Sequence, residues 1–161
     1  MARRVPALRQ TGFSMVELAI TIAVIGILAS IAIPGYQRQQ WKAKRAEGRL
    51  IVNGISTAEQ AYHASNDNWV ATGANPAGSI GKDLRTWDMS ISGWSTLNFQ
   101  PDGEVRCNYQ AQLFGTVQYC RVSGTCDVDD DNAFHYDRFY IPSDSPDQST
   151  IGWTETNPRN Y

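Results

Sequence analysis

The sequence predicts an α+β fold in which a long N-terminal helix, its first half spanning a membrane, packs on a small antiparallel β-sheet. Three observations carry this prediction. One apolar run covers residues 13–33, apolar residues recur at helical spacing over 50–62, and strand-like segments separated by turn residues follow position 95. Because the helical signals all precede the strand signals, the elements segregate along the chain, which is typical of α+β proteins.

The apolar run is long enough to cross a bilayer. Its 21 residues would form a helix of about 31 Å, and a bilayer core is about 30 Å thick. Arg3, Arg4 and Arg9 precede the run, and the positive-inside tendency places such an N-terminus in the cytoplasm. We therefore expect a retained transmembrane helix over residues 13–34.

A second, amphipathic segment follows over residues 35–65. Pro34 cannot donate a helical hydrogen bond, so it is expected to kink or end the helix. Beyond it, apolar residues repeat at spacings of three and four, which predicts one stripe facing a core. These residues are Leu50, Ile51, Ile55, Ala58 and Tyr62.

The remaining residues, 66–161, form the predicted globular head. Residues 66–94 are predicted to form a long loop that three tryptophans anchor to the domain. An antiparallel sheet is predicted over 95–141. The tail, 142–161, is polar and carries no predicted strand. The strands predicted within the sheet are 95–100, 104–111, 116–122 and 133–141.

The charge distribution and the absence of catalytic motifs exclude several functions. From residue 50 onward, 6 basic residues face 14 acidic ones, which argues against a nucleic-acid-binding surface on the head because phosphate attraction needs clustered cations. The sequence contains no nucleophile motif, no HExxH and no phosphate-binding loop. His63 and His135 are its two histidines. We expect no enzymatic activity and no required cofactor.

The N-terminal residues resemble a known family over about residues 9–45. A short basic leader is followed by Gly12 and then Phe13, with Glu17 at the fifth position after the glycine, and Gly26 and Pro34 further along the apolar run. This ordered set resembles the N-terminus of type IV pilin precursors and the related pseudopilins. The resemblance implies the pilin-like version of the predicted fold.

The resemblance also implies how the chain is processed and what it does. A prepilin peptidase would cut after Gly12, removing residues 1–12 as a leader, and methylate the new amine of Phe13. Inner-membrane assembly machinery would then build the chain into a helical homo-oligomeric filament. The implied function is a structural subunit of an extracellular type IV pilus, serving adhesion, twitching motility or DNA uptake. The alternative is a periplasmic pseudopilin of a type II secretion system.

Glu17 is the unusual residue of the apolar run, since a carboxylate at membrane depth costs about 2.5–3.5 kcal/mol on insertion scales. The resemblance implies that Glu17 of one chain pairs with the Phe13 amine of a neighbour. Before assembly, the alternative is a carboxylate solvated near the headgroups. Gly26 allows close helix packing, and the resemblance implies that the helix loosens between Gly26 and Pro34 in the filament.

The head would lie outside the cytoplasm, where disulfides form. Cys107, Cys120 and Cys126 permit one intramolecular bridge and leave one thiol. We expect Cys120–Cys126, which would close a turn at residues 123–124. The alternative is Cys107–Cys120, across a hairpin that turns at residues 113–115.

An acidic segment, CDVDDDN, raises the prospect of a calcium site. Asp127, Asp129 and Asp131 alternate as in a calcium-binding loop. The carbonyl of Ala133 would be the next ligand, and Asp137 would replace the usual bidentate glutamate, whose position holds an arginine. The alternative is a solvated acidic loop without an ion.

Overall fold

The computed structural model describes residues 12–114 and 119–141, and the backbone of 153–156. Their order confirms the predicted α+β class, with the helices first and the strands after them. The elements are α1 (Met15–Asn66), α2 (Trp94–Leu97), β1 (Asn108–Phe114), β2 (Tyr119–Cys126), β3 (His135–Ile141) and β4 (Trp153–Thr156).

The four strands form one antiparallel meander in the order β1-β2-β3-β4. In β2, buried and partly exposed residues alternate from Cys120 to Cys126, because successive side chains of a strand point to opposite faces of the sheet. One face of the sheet thus lies in the core. Tyr109, Ala111 and Val122 contribute to that core from β1 and β2.

The chain divides into two compact units, residues 1–38 and residues 39–161. In the described part of the first unit, residues 12–38, every side chain except that of Ala29 is exposed. By length and composition, α1 is apolar enough to cross a membrane. This part of α1 therefore has the apolar surface of a membrane helix.

In the second unit, the C-terminal part of α1 packs on the sheet. Its buried residues are Gly48, Val52, Ile55, Ser56 and Glu59, which lie on one face of a helix. A Cβ atom at Gly48 would lie 2.8 Å from the Sγ atom of Cys126. The missing side chain at Gly48 thus lets α1 approach the sheet closely.

The long loop after α1 is held down by aromatic rings, as predicted. Trp87 and Trp94 are buried, with ring centroids 4.6 Å apart in an edge-to-face arrangement, and Trp94 Nε1 donates to the carbonyl of Gly73 at 2.9 Å. Asn75 exchanges two backbone hydrogen bonds with Tyr109 of β1, at 2.9 and 2.8 Å. The loop therefore covers the edge of β1, an edge that would otherwise be open to pairing.

Several details of the predicted sheet are wrong. Residues 95–100 are not a strand, because Gly93 (φ 90°) and Asn98 (φ 50°) adopt left-handed conformations on either side of α2. β1 begins at Asn108 rather than at 104 and continues through Phe114, so Leu113 and Phe114 are strand residues rather than turn residues. The tail predicted to lack strands contributes β4, which pairs with β3.

Candidate functional site

The Gly12–Phe13 junction lies immediately before the first turn of α1. The side chain of Phe13 is 83% exposed, and no atom lies within 4 Å of a Cβ built on Gly12. Nothing in the described residues therefore blocks a peptidase from the bond between them. The leader, residues 1–11, lies outside the described residues.

Ser14 and Glu17 cap the N-terminus of α1 reciprocally. The Ser14 N–H donates to Glu17 Oε2 at 2.9 Å, and the Glu17 N–H donates to Ser14 Oγ at 3.2 Å. This is a capping box, which satisfies two backbone donors that the first turn of a helix leaves without partners. Glu17 therefore has a role within its own chain, in addition to the predicted pairing with a neighbour, which stays a prediction.

The sequence interpretation missed this role, although its signal was present. Ser14-Met15-Val16-Glu17 matches the S-x-x-E pattern that precedes an apolar helix. The informative feature of Glu17 is its position three residues after a serine, rather than its charge within an apolar run.

Gly26 and Pro34 both lie inside α1. No atom lies within 4 Å of a Cβ built on Gly26, so the space beside this glycine is open to another helix. Pro34 does not end the helix, because α1 continues to Asn66. The predicted loosening of the helix between these residues is not tested by a single chain.

The acidic segment after β2 forms a tight, self-bonded loop. The buried carboxylate of Asp127 accepts the N–H groups of Asp130 at 2.9 Å and of Asn132 at 3.2 Å. Asp130 and Asn132 have left-handed backbones, with φ of 65° and 62°. Such Asx-type bonds fold the loop back on itself.

Three carboxylates converge in this loop. One ligand oxygen each from Asp127, Asp129 and Asp131 lies within 4.8 Å of the others. Partial burial and the carboxylates of Asp131 and Asp127 raise the pKa of Asp129. Asp137, the fourth predicted carboxylate ligand, is not in this group, because it lies in β3 with its Oδ1 3.4 Å from His135 Nε2.

The disulfide joins Cys107 to Cys126, so both predicted pairings are wrong. Cys120 and Cys126 lie in the same strand, β2, where six residues span about 20 Å. Cys120 stands opposite Leu113, whereas Thr125 stands opposite Asn108, which places Cys126 beside Cys107 with a Cα–Cα distance of 4.4 Å. Residues 123–124, predicted as a turn, continue the strand.

The N-terminus matches a family model described as the prokaryotic N-terminal methylation motif, over residues 8–33. This match covers the Gly12–Phe13 junction, Glu17 and Gly26. The N-terminal segment of the chain is thus similar to that of type IV pilin precursors.

Several pilins are similar to this chain. A fimbrial protein of Neisseria meningitidis is 32% identical over 76 residues, which are 47% of this chain and 45% of the relative. The type IV major pilin protein PilE1 of Neisseria gonorrhoeae is 39% identical over 69 residues, 43% of this chain and 31% of the relative. A PilE of the same species is 27% identical over 134 residues, 76% of this chain and 80% of the relative.

The chain thus spans less than half the length of the first two relatives. No solved structure matches it significantly. All of these relatives are named as pilins or fimbrial proteins, which agrees with the prediction of a structural rather than an enzymatic protein.

The globular head also buries an acid that the sequence analysis did not predict to be buried. The side chain of Glu59 is fully buried, and its Oε2 accepts the N–H of Val70 at 3.1 Å. Burial raises the pKa of Glu59 to about 7, and within the described residues its Oε1 has no hydrogen-bond partner. The available signal was an acid four residues after Ile55, on the apolar stripe of α1.

Cys120, the cysteine outside the disulfide, is also buried in the globular head. Burial, with a smaller contribution from Glu59, raises the pKa of its thiol. Because the thiolate is the reactive form, a buried thiol with a raised pKa is inert. Cys120 therefore acts as a small core residue.

Proposed function

We propose that this chain is a structural subunit of a type IV pilus, cut after Gly12, methylated at Phe13 and polymerised through α1. The supporting observation is that several features of the pilin N-terminus occur together in this chain. An exposed Gly12–Phe13 junction directly precedes a capped helix whose apolar side chains are uncovered. Such a surface needs cover from lipid or from other molecules.

During assembly, the exposed apolar surface of α1 would leave the lipid and become buried against other copies of the chain. Ile25, Leu28 and Ile31 are 63%, 61% and 72% exposed, and lipid would surround them in the inner-membrane precursor. In the filament, the same surface would be covered by α1 of neighbouring copies. Open filaments of this kind arise from heterologous contacts repeated along a helix.

Glu17 would set the register of this assembly. Cleavage after Gly12 creates a new amine on Phe13, four residues before the carboxylate. In a filament core, a Glu17–amine pair between copies would favour one helix alignment over others, since a buried charge without its partner is costly. Within each chain the carboxylate would keep its capping bond to Ser14 until assembly.

We favour an extracellular pilus over a periplasmic pseudopilus because the relatives include major pilins. Shearing the cells separates the two proposals. A pilus subunit is released as fibres into the supernatant, whereas a pseudopilin stays with the cells. Processing is tested on the same material by intact mass, which we expect to equal the chain from Phe13 onward plus one methyl group.

A matched variant tests the junction itself. Gly12→Val should leave an uncut precursor in the membrane, whereas Gly35→Val, beyond the apolar run, should be cut normally. Fibres built from a chain that keeps its leader, or that begins elsewhere, would overturn the proposed function.

We also propose that Asp127, Asp129 and Asp131 bind calcium weakly. The convergence of their oxygens within 4.8 Å supports this, since calcium prefers several hard oxygen ligands around one ion. Asp137 is left out of the proposed ligand set. The dissociation constant should resemble that of extracellular modules, on the order of 10⁻⁴–10⁻³ M.

A further inference from the structure

The C-terminal part of α1 carries a groove along one side, where it meets residues 99–105. The groove has a volume of about 530 Å³. It is lined by apolar and acidic side chains. Leu50, Phe99 and Pro101 are among the apolar residues, and Glu47, Asp102 and Glu104 are the acidic ones. We call these six residues the acidic groove.

Asp102 and Glu104 are both exposed. Glu47 is engaged within the head, where its carboxylate accepts the Arg106 N–H at 2.7 Å and pairs with Arg106 Nη1 at 3.2 Å. No lysine or arginine is among the described residues that line the groove. The acidic groove therefore presents an apolar surface beside two solvent-facing carboxylates.

A basic row runs along another side of the same part of α1. Lys42, Arg45 and Arg49 line a small cleft of about 150 Å³ beside His135 and Asp137. Their spacings of three and four place them on one side of the helix. At about 100° per residue, this side is roughly opposite Glu47, and Leu50 lies about 100° around the helix from Arg49. The basic row, whose side chains also have interactions within the chain, therefore lies on a different side of α1 from the acidic carboxylates of the groove.

The shape and chemistry of the acidic groove suit a long basic side chain. Lysine and arginine lay their methylene stems on apolar surface while their charged ends reach polar groups. An arginine stem would lie on Leu50 and Pro101 with its guanidinium near Asp102 and Glu104. Phe99 adds an aromatic face, which attracts cations.

We propose that the acidic groove of one copy receives the basic row of a neighbouring copy. This inference rests on the proposed function as a filament subunit and names one contact of that filament. The two surfaces differ and lie on different sides of one helix, so their contact is heterologous and can repeat without closing. Complementary charge would select this register over others.

Charge reversal and its compensation test the contact in cells that make fibres from this chain alone. Asp102→Lys/Glu104→Lys should lower the yield of sheared fibres at least about tenfold, because like charges would then face each other across the contact. Adding Lys42→Glu/Arg49→Glu to the same chain should restore at least about half of the wild-type yield, since the attraction returns with its sign exchanged.

Two matched single variants distinguish an effect of position in the acidic groove from an effect of net charge. Glu104→Lys and Asp83→Lys change the charge equally at exposed loop residues, and Asp83 lies outside the acidic groove. Only Glu104→Lys should lower the fibre yield. Cleavage after Gly12 and an intact Cys107–Cys126 bridge, shown by non-reducing peptide mapping, confirm that each variant is processed and folded.

The outcomes distinguish this contact from the proposed function. If wild-type fibres form and begin at Phe13 but the Asp102→Lys/Glu104→Lys variant gives normal yield, the contact is wrong and the proposed function stands. If the fourfold variant is folded and processed but does not recover, the acidic groove serves another basic partner and the contact between copies is overturned. If the wild-type chain forms no fibres, the proposed function itself fails.

Discussion

The two parts of α1 differ in what covers them, although they belong to one helix. In the first unit, apolar side chains are exposed all round, as at Leu28 and Ile31. In the second unit, Val52 and Ile55 are fully buried by the head's own sheet and loop. A helix that is apolar on every side needs cover from outside its own chain, whereas a helix with one apolar stripe can bury that stripe within its own domain.

This difference predicts that the first part of α1 determines assembly, whereas the second part determines the stability of the head. Changes in the first part of α1 should affect filaments and leave the stability of the head unchanged. Changes on the buried stripe should affect the stability of the head first. Variants of the two parts can therefore test whether the division is real.

The largest effect on assembly is expected from Glu17. Glu17→Ala should leave the chain inserted and cut after Gly12 but lower fibre yield by more than about tenfold when no wild-type subunit is present, because the Phe13 amine of a neighbouring copy would lose its proposed partner in a dry core. The thermal unfolding of the head should not change. Fibre yield by shearing and unfolding in detergent are the two measurements.

Glu17→Gln and Ser14→Ala distinguish the charge from the capping box. Glutamine at this position can still accept the Ser14 N–H, so Glu17→Gln keeps the cap and loses the charge. Ser14→Ala loses the hydroxyl and keeps the charge, at a cost of about 0.5–2 kcal/mol to the helix end. If Glu17→Gln assembles normally and Ser14→Ala does not, the carboxylate acts only as a cap.

The buried stripe of α1 should control the stability of the head. Ile55→Ala removes a fully buried side chain and should lower the free energy of unfolding by about 2–5 kcal/mol. Leu50→Ala, at a residue that is 74% exposed, should change it by less than about 0.5 kcal/mol. Denaturant titration checks both, and equal effects would contradict the assignment of the buried face.

Glu59 should make the stability of the head depend on pH. Its folded-state pKa of about 7 lies above its ordinary value of 4.5, so the folded head binds the proton more tightly than the unfolded chain does. Stability should therefore fall as pH rises from about 4.5 to 7 and level off above it. The loss is on the order of 3 kcal/mol.

Glu59→Gln is the matched variant for this effect, since it keeps an acceptor for the Val70 N–H without a charge. It should be more stable than the wild-type chain above pH 7 and similar to it below about pH 4.5. Melting temperatures across this range measure the difference. A difference that is constant with pH would mean that Glu59 does not titrate in this window.

The smallest expected effect is that of calcium on the acidic loop. Several millimolar calcium should stabilise the folded head by about 1–2 kcal/mol if the dissociation constant is near 10⁻³–10⁻⁴ M. Asp129→Ala/Asp131→Ala should abolish the rise in melting temperature, whereas Asp83→Ala should retain it. No rise in the wild-type protein, or an equal rise in the double variant, would refute the site.

The parts of the molecule that the sequence predicted well depend on local signals. Residues 13–33 are predominantly apolar, and the order of Gly12, Phe13 and Glu17 is specific in itself. Helical spacing predicted the burial of Ile55, but the prediction that Leu50 faces the core is wrong, since Leu50 is 74% exposed and Val52 is buried instead. These features need no knowledge of distant contacts.

The features that were missed depend on contacts between distant residues. The disulfide follows from where the β1–β2 hairpin turns, and placing that turn after Phe114 moves the partner of Cys107 from Cys120 to Cys126. The burial of Glu59 follows from Val70, which approaches it from the loop after α1. Neither the turn position nor this approach is determined by the residues nearby.

The central claim is that the first part of α1 is covered by other copies of the chain in the assembled filament. A filament map at side-chain resolution tests it most directly. We expect the helix from Phe13 to Arg38 in the filament core, packed against neighbouring helices, with Glu17 beside the amine of another copy's Phe13. A filament in which this part of α1 lies on the outer surface, or in which Glu17 faces solvent, would contradict the account.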